Sequence, residues 1–360
     1  YAATLAPGLT WAHDGADGGD FLAAALTGGV PHPTGYPTYQ LLLQAAIRLL
    51  PADPARAGNW LAAVCAALAA GLLADLARRV LPPAPWRSVI AAAAGLAWAT
   101  SPALWSQAVI TEVYSLNALA VVLALWLLWQ WSQQPPADAG WRWLAAAALV
   151  LGLGLGNHLS LALALPGLAF WLWTGRARLA RLSRAGAAGL AAVFMLGLAV
   201  YARIPLAAAA EPPVNWGAAD TAAGFWWLVS GGLYRGLLSG MGGGELLARL
   251  SSLVGAALEQ LGGGPWGAAL AVVGLWQLDR RQHAWWRTTG LIALSYALYG
   301  LVYRTDTAFV YLIPAWGIAA LWLAEGIDRL ARLIADRRIA WVLVVALTAA
   351  LPVAAIARFY

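Results

Sequence analysis

The chain has 360 residues, 62% of them hydrophobic and 11% charged, with a mean hydropathy of +0.69. These values exclude an ordinary soluble domain. The formal charge of +6 comes from arginine alone, since the sequence has no lysine; the arginines fall in short clusters between apolar runs, which is membrane topology and not nucleic-acid binding. The single cysteine, Cys65, lies inside an apolar run, which excludes an intrachain disulfide and a CxxC metal site.

Apolar runs of roughly 17–25 residues recur along the chain, each long enough to cross a ~30 Å hydrocarbon core as a helix. Their Ala/Leu/Gly/Trp composition lacks the alternation of a membrane barrel. The fold class that follows is all-α, a polytopic transmembrane helical bundle forming one domain over 1–360. About ten complete spans are expected after a first span of which only the last turns, Tyr1 to Leu9, are present.

In chain order, an acidic loop and juxtamembrane helices occupy 11–58, with a short interfacial helix near Phe21 to Leu26 and another over Tyr36 to Leu50. Spans are predicted over Asn59–Leu76, Ser88–Trp105, a run opening at Thr111-Glu112 and ending near Trp131, Trp141–Gly156 and Leu159–Trp173, with a polar turn from Gln133 to Gly140 and a break at Asn157-His158. The most basic loop, Arg176 to Arg184, precedes a span over Ala185–Ile204. A second polar region, 205–264, ends in an amphipathic helix over Glu245 to Leu261. Further spans are predicted over Pro265–Leu278, Thr288–Tyr303, Thr307–Leu323 and Ile339–Ala355, separated by a basic turn from Asp279 to Arg287 and a basic linker from Glu325 to Arg338.

Alternating these loops collects most of the arginines on one side, which is therefore cytoplasmic by the positive-inside rule. The opposite, outward side receives every polar cluster that topology leaves unexplained. The expected setting is a bacterial-type plasma (inner) membrane with the active face outward.

Ionisable groups at a membrane face usually mark function. Asp14, Asp17 and Asp20 are interleaved with glycines, so two carboxylates can approach one point, as a general base or as a pair binding a divalent cation; they could equally cap the following helix. His32 sits between Pro31 and Pro33, which aim its side chain. Glu112 and the Asn157-His158 pair stand at span ends, where Glu112 could also be a helix cap. Arg203, Arg235 and Arg304 are outward arginines suited to a phosphate. The tryptophans read as interface anchors. Together these groups suit transfer of a sugar from a lipid phosphate: one base for the acceptor hydroxyl, a cation for the departing phosphate, and polar groups for the sugar.

The segments Asp17-Gly18-Gly19-Asp20-Phe21 and His32-Pro33-Thr34-Gly35-Tyr36-Pro37, with Thr111-Glu112-Val113-Tyr114-Ser115-Leu116-Asn117, Gly156-Asn157-His158 and Asn215-Trp216-Gly217, resemble the GT-C superfamily of membrane glycosyltransferases, in its protein O-mannosyltransferase-like branch. Asp20 stands where that pattern usually has Glu, and Thr34 where it has Pro. The resemblance implies a GT-C bundle that uses a polyprenyl-phosphate sugar donor, carrying mannose or another hexose, with inversion. The acceptor would be a protein, glycan or lipid hydroxyl. It makes Asp17 the base with Asp20 beside it, assigns His32, Glu112, Asn157, His158, Asn215 and Trp216 to substrate, and assigns the phosphate to Arg203, Arg235 or Arg304. No cofactor is required, though a divalent cation could take part. A non-catalytic structural subunit and a transporter or flippase are the competing readings; interrupted inverted repeats would favour the latter, and none is visible.

Overall fold

The computed structural model describes residues 1–135 and 140–360. The chain is helical, and the described residues form no strand beyond an isolated bridge between Val30 and Asn215. Part of the polar turn expected over Gln133 to Gly140 lies outside the described residues.

Two short helices, α1 (Gly18–Thr27) and α2 (Pro37–Leu49), lie where interfacial helices were expected. The first long helix, α3 (Pro54–Val80), starts with Asp53 capping the Ala55 and Arg56 amides and packs on α4 (Arg87–Ala99) and α6 (Tyr114–Ser132). Between the latter two, α5 (Pro102–Ala108) departs from α4 by 66°. A single straight span over Ser88–Trp105 is thereby corrected: Ser101 caps a new helix and Pro102 opens it, a combination that starts helices and cannot continue one.

Next come α7 (Trp141–Leu155), α8 (Leu165–Thr174) continuing a 3₁₀ turn from Leu159, the four-residue α9 (Arg176–Leu179), α10 (Arg184–Leu198) and α11 (Arg203–Ala208). The chain continues through α12 (Ala222–Val229), a 3₁₀ segment over Gly232–Leu238, and the amphipathic α13 (Gly243–Glu259). The last four are α14 (Pro265–Arg281), α15 (His283–Val302), α16 (Ile313–Leu333) and α17 (Arg337–Phe359).

Among the described residues, five segments are long and apolar enough to cross a membrane, or six with the bent pair α4–α5, which marks an integral membrane protein. The larger number expected from hydropathy also counted α7, the Leu159–Thr174 segment, α14 and α15, each of which is helical. The linker expected from Glu325 to Arg338 is also corrected. Here α16 runs on to Leu333, because Glu325 pairs with Arg281 and Asp328 accepts from Arg332 at 2.7 Å and from the Trp86 indole at 3.1 Å. Acids that looked like solvent signals are paired inside the bundle, where an unpaired charge would be costly.

Small residues set the closest helix approach. A Cβ on Gly274 of α14 would lie 1.7 Å from the Trp322 carbonyl, and one on Gly326 of α16 would lie 2.0 Å from the Leu270 carbonyl. These are backbone atoms, so the neighbour cannot rotate away, and small residues permit such contact between membrane helices. Gly326→Val is expected to cost about 3 kcal/mol or more by overpacking. The check is the thermal midpoint in detergent, with Gly290→Val as control, since nothing lies within 4 Å of a Cβ there.

Candidate active site

The polar residues scattered through the sequence meet at one end of the bundle. Asp17 occupies the N-cap position of α1, yet its side chain makes no capping bond. Its carboxylate is 46% exposed and points one oxygen at His32 Nε2, 3.6 Å away. On the other side of the same ring, His32 Nδ1 lies 2.7 Å from Asp20 Oδ2, which also accepts the His32 backbone N–H at 2.8 Å. The Trp216 indole donates to the second Asp20 oxygen at 3.1 Å. One imidazole therefore stands between two carboxylates, and it can donate to both only when both its nitrogens carry protons.

The two acids are not equivalent. Burial alone would raise the Asp20 pKa, but the bonds from the His32 ring and backbone, the His32 charge and the Trp216 indole outweigh it and hold this carboxyl below its ordinary value. Asp20 is thus an anchored anion and a weak base. Asp17 is free of such bonds. Of the acids expected in this loop, Asp14 is exposed and joins no side-chain contact here.

His32 is buried and held by rings: Phe21 at 5.1 Å, Tyr36 at 5.0 Å and Trp216 at 6.4 Å between centroids. The loop after it is tight. Tyr36 has φ +42° and its hydroxyl donates back to the Pro33 carbonyl at 3.1 Å. A non-glycine residue in that region is a strained placement of the kind found at sites, and Gly35 at φ +82° permits the turn before it.

Beside this cluster lies a cavity of about 210 Å³, walled by Thr34, Tyr36, His158, Ser160, Ser230, Tyr234, Arg235, Tyr299, Tyr303 and Tyr311. Tyr36 joins the two parts, since its ring meets both His32 and, at 5.9 Å, His158. His158 Nδ1 accepts the Ser160 amide at 3.0 Å, so the proton of the neutral ring sits on Nε2. Burial, helped by the His32 charge, pushes its pKa down to about 4. His158 is therefore a hydrogen-bond donor, not an acid–base group, across the neutral range.

This sets the sign of a pH effect. The unfolded histidine takes up a proton near pH 6.5, while the folded one resists until about pH 4. The neutral ring's contribution to stability is thus full above pH 6.5 and is lost as the pH falls from there to about 4. His158→Gln is expected to flatten that acid limb in a denaturant-midpoint series between pH 7 and pH 4.5. An unchanged limb would contradict a neutral His158.

Glu112 does not line the cavity. It is 2% exposed and lies behind Asp17, its carboxyl facing the backbone amides of Val113 and Asp17, with Oε2 left without a partner. Burial, reinforced by the Asp17 charge, raises its pKa well above the ordinary value. Asn157 donates to the Val113 carbonyl at 3.2 Å and so clamps the same loop from below. Asn215 donates to the Ala208 carbonyl at 3.2 Å, while its neighbours bridge to Val30 through Val30 N–H to Val214 and Trp216 N–H to Val30, at 2.8 and 3.1 Å. Both asparagines hold the site's loops from outside the cavity.

The three arginines separate. Arg235 lines the cavity and donates to the Ser230 hydroxyl at 2.8 Å, with no carboxylate partner among the described residues. Arg203 donates to the Gly29 carbonyl at 3.2 Å and faces a different, open groove beside α2. Arg304 is paired with Glu245 at 3.2 Å and donates to the Ser239 carbonyl, which ties it to the start of α13. Sequence reasoning missed the tyrosines. Of the cavity's tyrosines, Tyr299 lies on α15 and Tyr303 follows its last residue, and that four-residue spacing was the available signal. Among the described residues, no group of three or more His, Cys, Asp or Glu side chains is arranged to hold a metal ion.

Residues 17–180 match the family model described as the N-terminal domain of the protein O-mannosyl-transferase TMEM260. Two solved structures of ArnT from Cupriavidus metallidurans share the fold. The apo form aligns with a TM-score of 0.60 at 15% identity, over 88% of this chain and 56% of that one. The form bound to undecaprenyl phosphate aligns with a TM-score of 0.64 at 15% identity, over 99% and 72%. The chain thus spans little more than half the length of the first of these structures. No curated protein matches it. Residues 17–180 are thus similar to the N-terminal domain of a protein O-mannosyl-transferase, and the chain shares the helical fold of ArnT.

Proposed function

We propose that the chain transfers a hexose, mannose being the expected one, from a polyprenyl-phosphate donor to an acceptor hydroxyl at the outward end of the bundle. The observation that carries this reading is the half-exposed Asp17 carboxylate beside an anchored His32–Asp20 pair, next to a cavity with an unpaired arginine. The fold shared with ArnT, one of whose structures is described as bound to undecaprenyl phosphate, supports the donor class.

In this mechanism the acceptor oxygen attacks the anomeric carbon as its proton passes to Asp17. The bond from that carbon to the phosphate oxygen breaks, and its electron pair leaves with the polyprenyl phosphate, stabilised by Arg235. His158 Nε2–H and the tyrosine hydroxyls hold the sugar. One displacement inverts the anomeric centre. Asp20 accepts no proton, because its hydrogen bonds already favour the anion. A phosphate leaving group needs no strong acid, so no cofactor is required of this chemistry, and a divalent cation would serve only to assist its departure.

The test is the full chain reconstituted in vesicles with polyprenyl-phospho-mannose and a hydroxyl acceptor. Acceptor-dependent release of polyprenyl phosphate is expected. A folded chain that binds the donor without any release would favour the structural-subunit reading.

A further inference from the structure

The end of the bundle opposite the tyrosine cavity contains a second cavity, of about 370 Å³, lined by Trp131, Ser132, Trp171, Thr174, Arg178 and Arg181. Two of the elements that meet there, the Leu159–Thr174 segment and α15, also line the first cavity at their other ends. Helix α6 runs from Tyr114 to Ser132, the Leu159–Thr174 segment runs down from His158, and α15 rises from His283 towards Tyr303. A helix of the length of α6 spans about 28 Å at 1.5 Å per residue, so the two cavities are separate and cannot hold one headgroup.

Its chemistry is cationic and aromatic. Arg178 donates to the Trp131 carbonyl and lies over the Trp131 ring, 5.5 Å from its centroid, which fixes its guanidinium on the cavity wall. The Arg181 side chain makes no hydrogen bond or ion pair among the described residues, while its backbone N–H donates to the Arg178 carbonyl at 3.1 Å. Trp171 stacks on Trp129 and meets Trp285 edge-on at 5.1 Å, giving the cavity a rigid side. Among the described residues no carboxylate pairs with Arg178 or Arg181. Membrane topology explains arginines at this end; it does not call for a cavity with two guanidiniums on its wall.

We propose that this cavity binds a phosphate-ester anion, the headgroup phosphate of an anionic phospholipid or a free phosphate of the same chemistry, between Arg178 and Arg181. Guanidinium forks match phosphate oxygens, and basic pockets between membrane helices take anionic headgroups. The site is independent of sugar transfer at the other end.

The test uses the full chain in nanodiscs of zwitterionic lipid, titrated with phosphatidylglycerol in one arm and inorganic phosphate in the other. Lipid retention is read by native mass spectrometry and stability by the thermal midpoint. Phosphatidylglycerol is expected to be retained and to raise the midpoint, with retention at least about tenfold weaker in Arg181→Gln, as expected for loss of one charge-assisted bond. Because the Arg181 side chain bonds nothing among the described residues, that variant should keep its midpoint in zwitterionic lipid, and it carries the test if Arg178→Gln fails to fold. Stabilisation by inorganic phosphate, lost in Arg181→Gln, would support the site with the free anion as its ligand. Equal retention by wild type and Arg181→Gln, or equal retention of anionic and zwitterionic lipid, would overturn the proposal.

Discussion

Asp17→Asn is expected to lower kcat for sugar transfer by about 10²–10⁴, the usual worth of a positioned general base, while leaving the thermal midpoint unchanged. The second half of that expectation follows from the side chain's surroundings. Asp17 is half exposed and caps nothing, and its one close partner is His32 Nε2 at 3.6 Å, so an amide of the same shape removes little from the fold. Asp20→Asn should behave differently. It weakens an acceptor that holds the His32 amide, the His32 ring and the Trp216 indole, so activity and stability should fall together. Steady-state rates with paired melting curves separate the two. A stable, inactive Asp20→Asn beside an active Asp17→Asn would move the base from one carboxylate to the other.

His32→Ala should produce the largest combined loss. The ring is buried among Phe21, Tyr36 and Trp216 and occupies the space between two carboxylates. Deleting it opens a cavity, strips Asp20 of its ring partner and leaves two like charges facing each other. A cost of about 2–4 kcal/mol is expected from the cavity and the lost charge-assisted bond, together with a fall of about 10² or more in kcat as Asp17 loses its orientation. His32→Gln distinguishes a positioning role from a merely structural one. Its amide can still donate to Asp20, so stability should largely return while kcat does not. Full recovery of the rate in His32→Gln would show that the imidazole acts only as a packing group.

Much of the site was legible because its chemistry is local. Asp17, Asp20 and His32 lie within one stretch of a chain poor in charge, and a cluster of that kind must meet water or substrate. Their grouping with His158 followed from counting loops, which depends only on hydropathy and arginine placement. What could not be read was partnership at a distance. Glu112 looked like a cap or a sugar ligand, and only the approach of the Asp17 backbone shows it as a buried carboxyl behind Asp17. Arg304 looked free until α13 brought Glu245 to it. Asn157 and Asn215 share motifs with the site but spend their amide protons on backbone carbonyls. The tyrosine wall was missed because the aromatic residues weighed were the tryptophans, and the tyrosines, which come from separate segments, meet only in the fold.

The same limit explains the helix boundaries. Hydropathy ends a span at Glu325, whereas Arg281 reaches it from α14 and allows α16 to continue. It also joins α4 to α5 across Thr100 and Ser101, where backbone capping and a proline decide the geometry.

The role assigned to Asp17 as a base, not a nucleophile, is tested most directly by the anomeric configuration of the product. Transfer from polyprenyl-phospho-mannose of known configuration, followed by NMR of the glycosylated acceptor after a single turnover, should give the inverted anomer. A retained anomer would require a covalent sugar–enzyme step and would contradict this account.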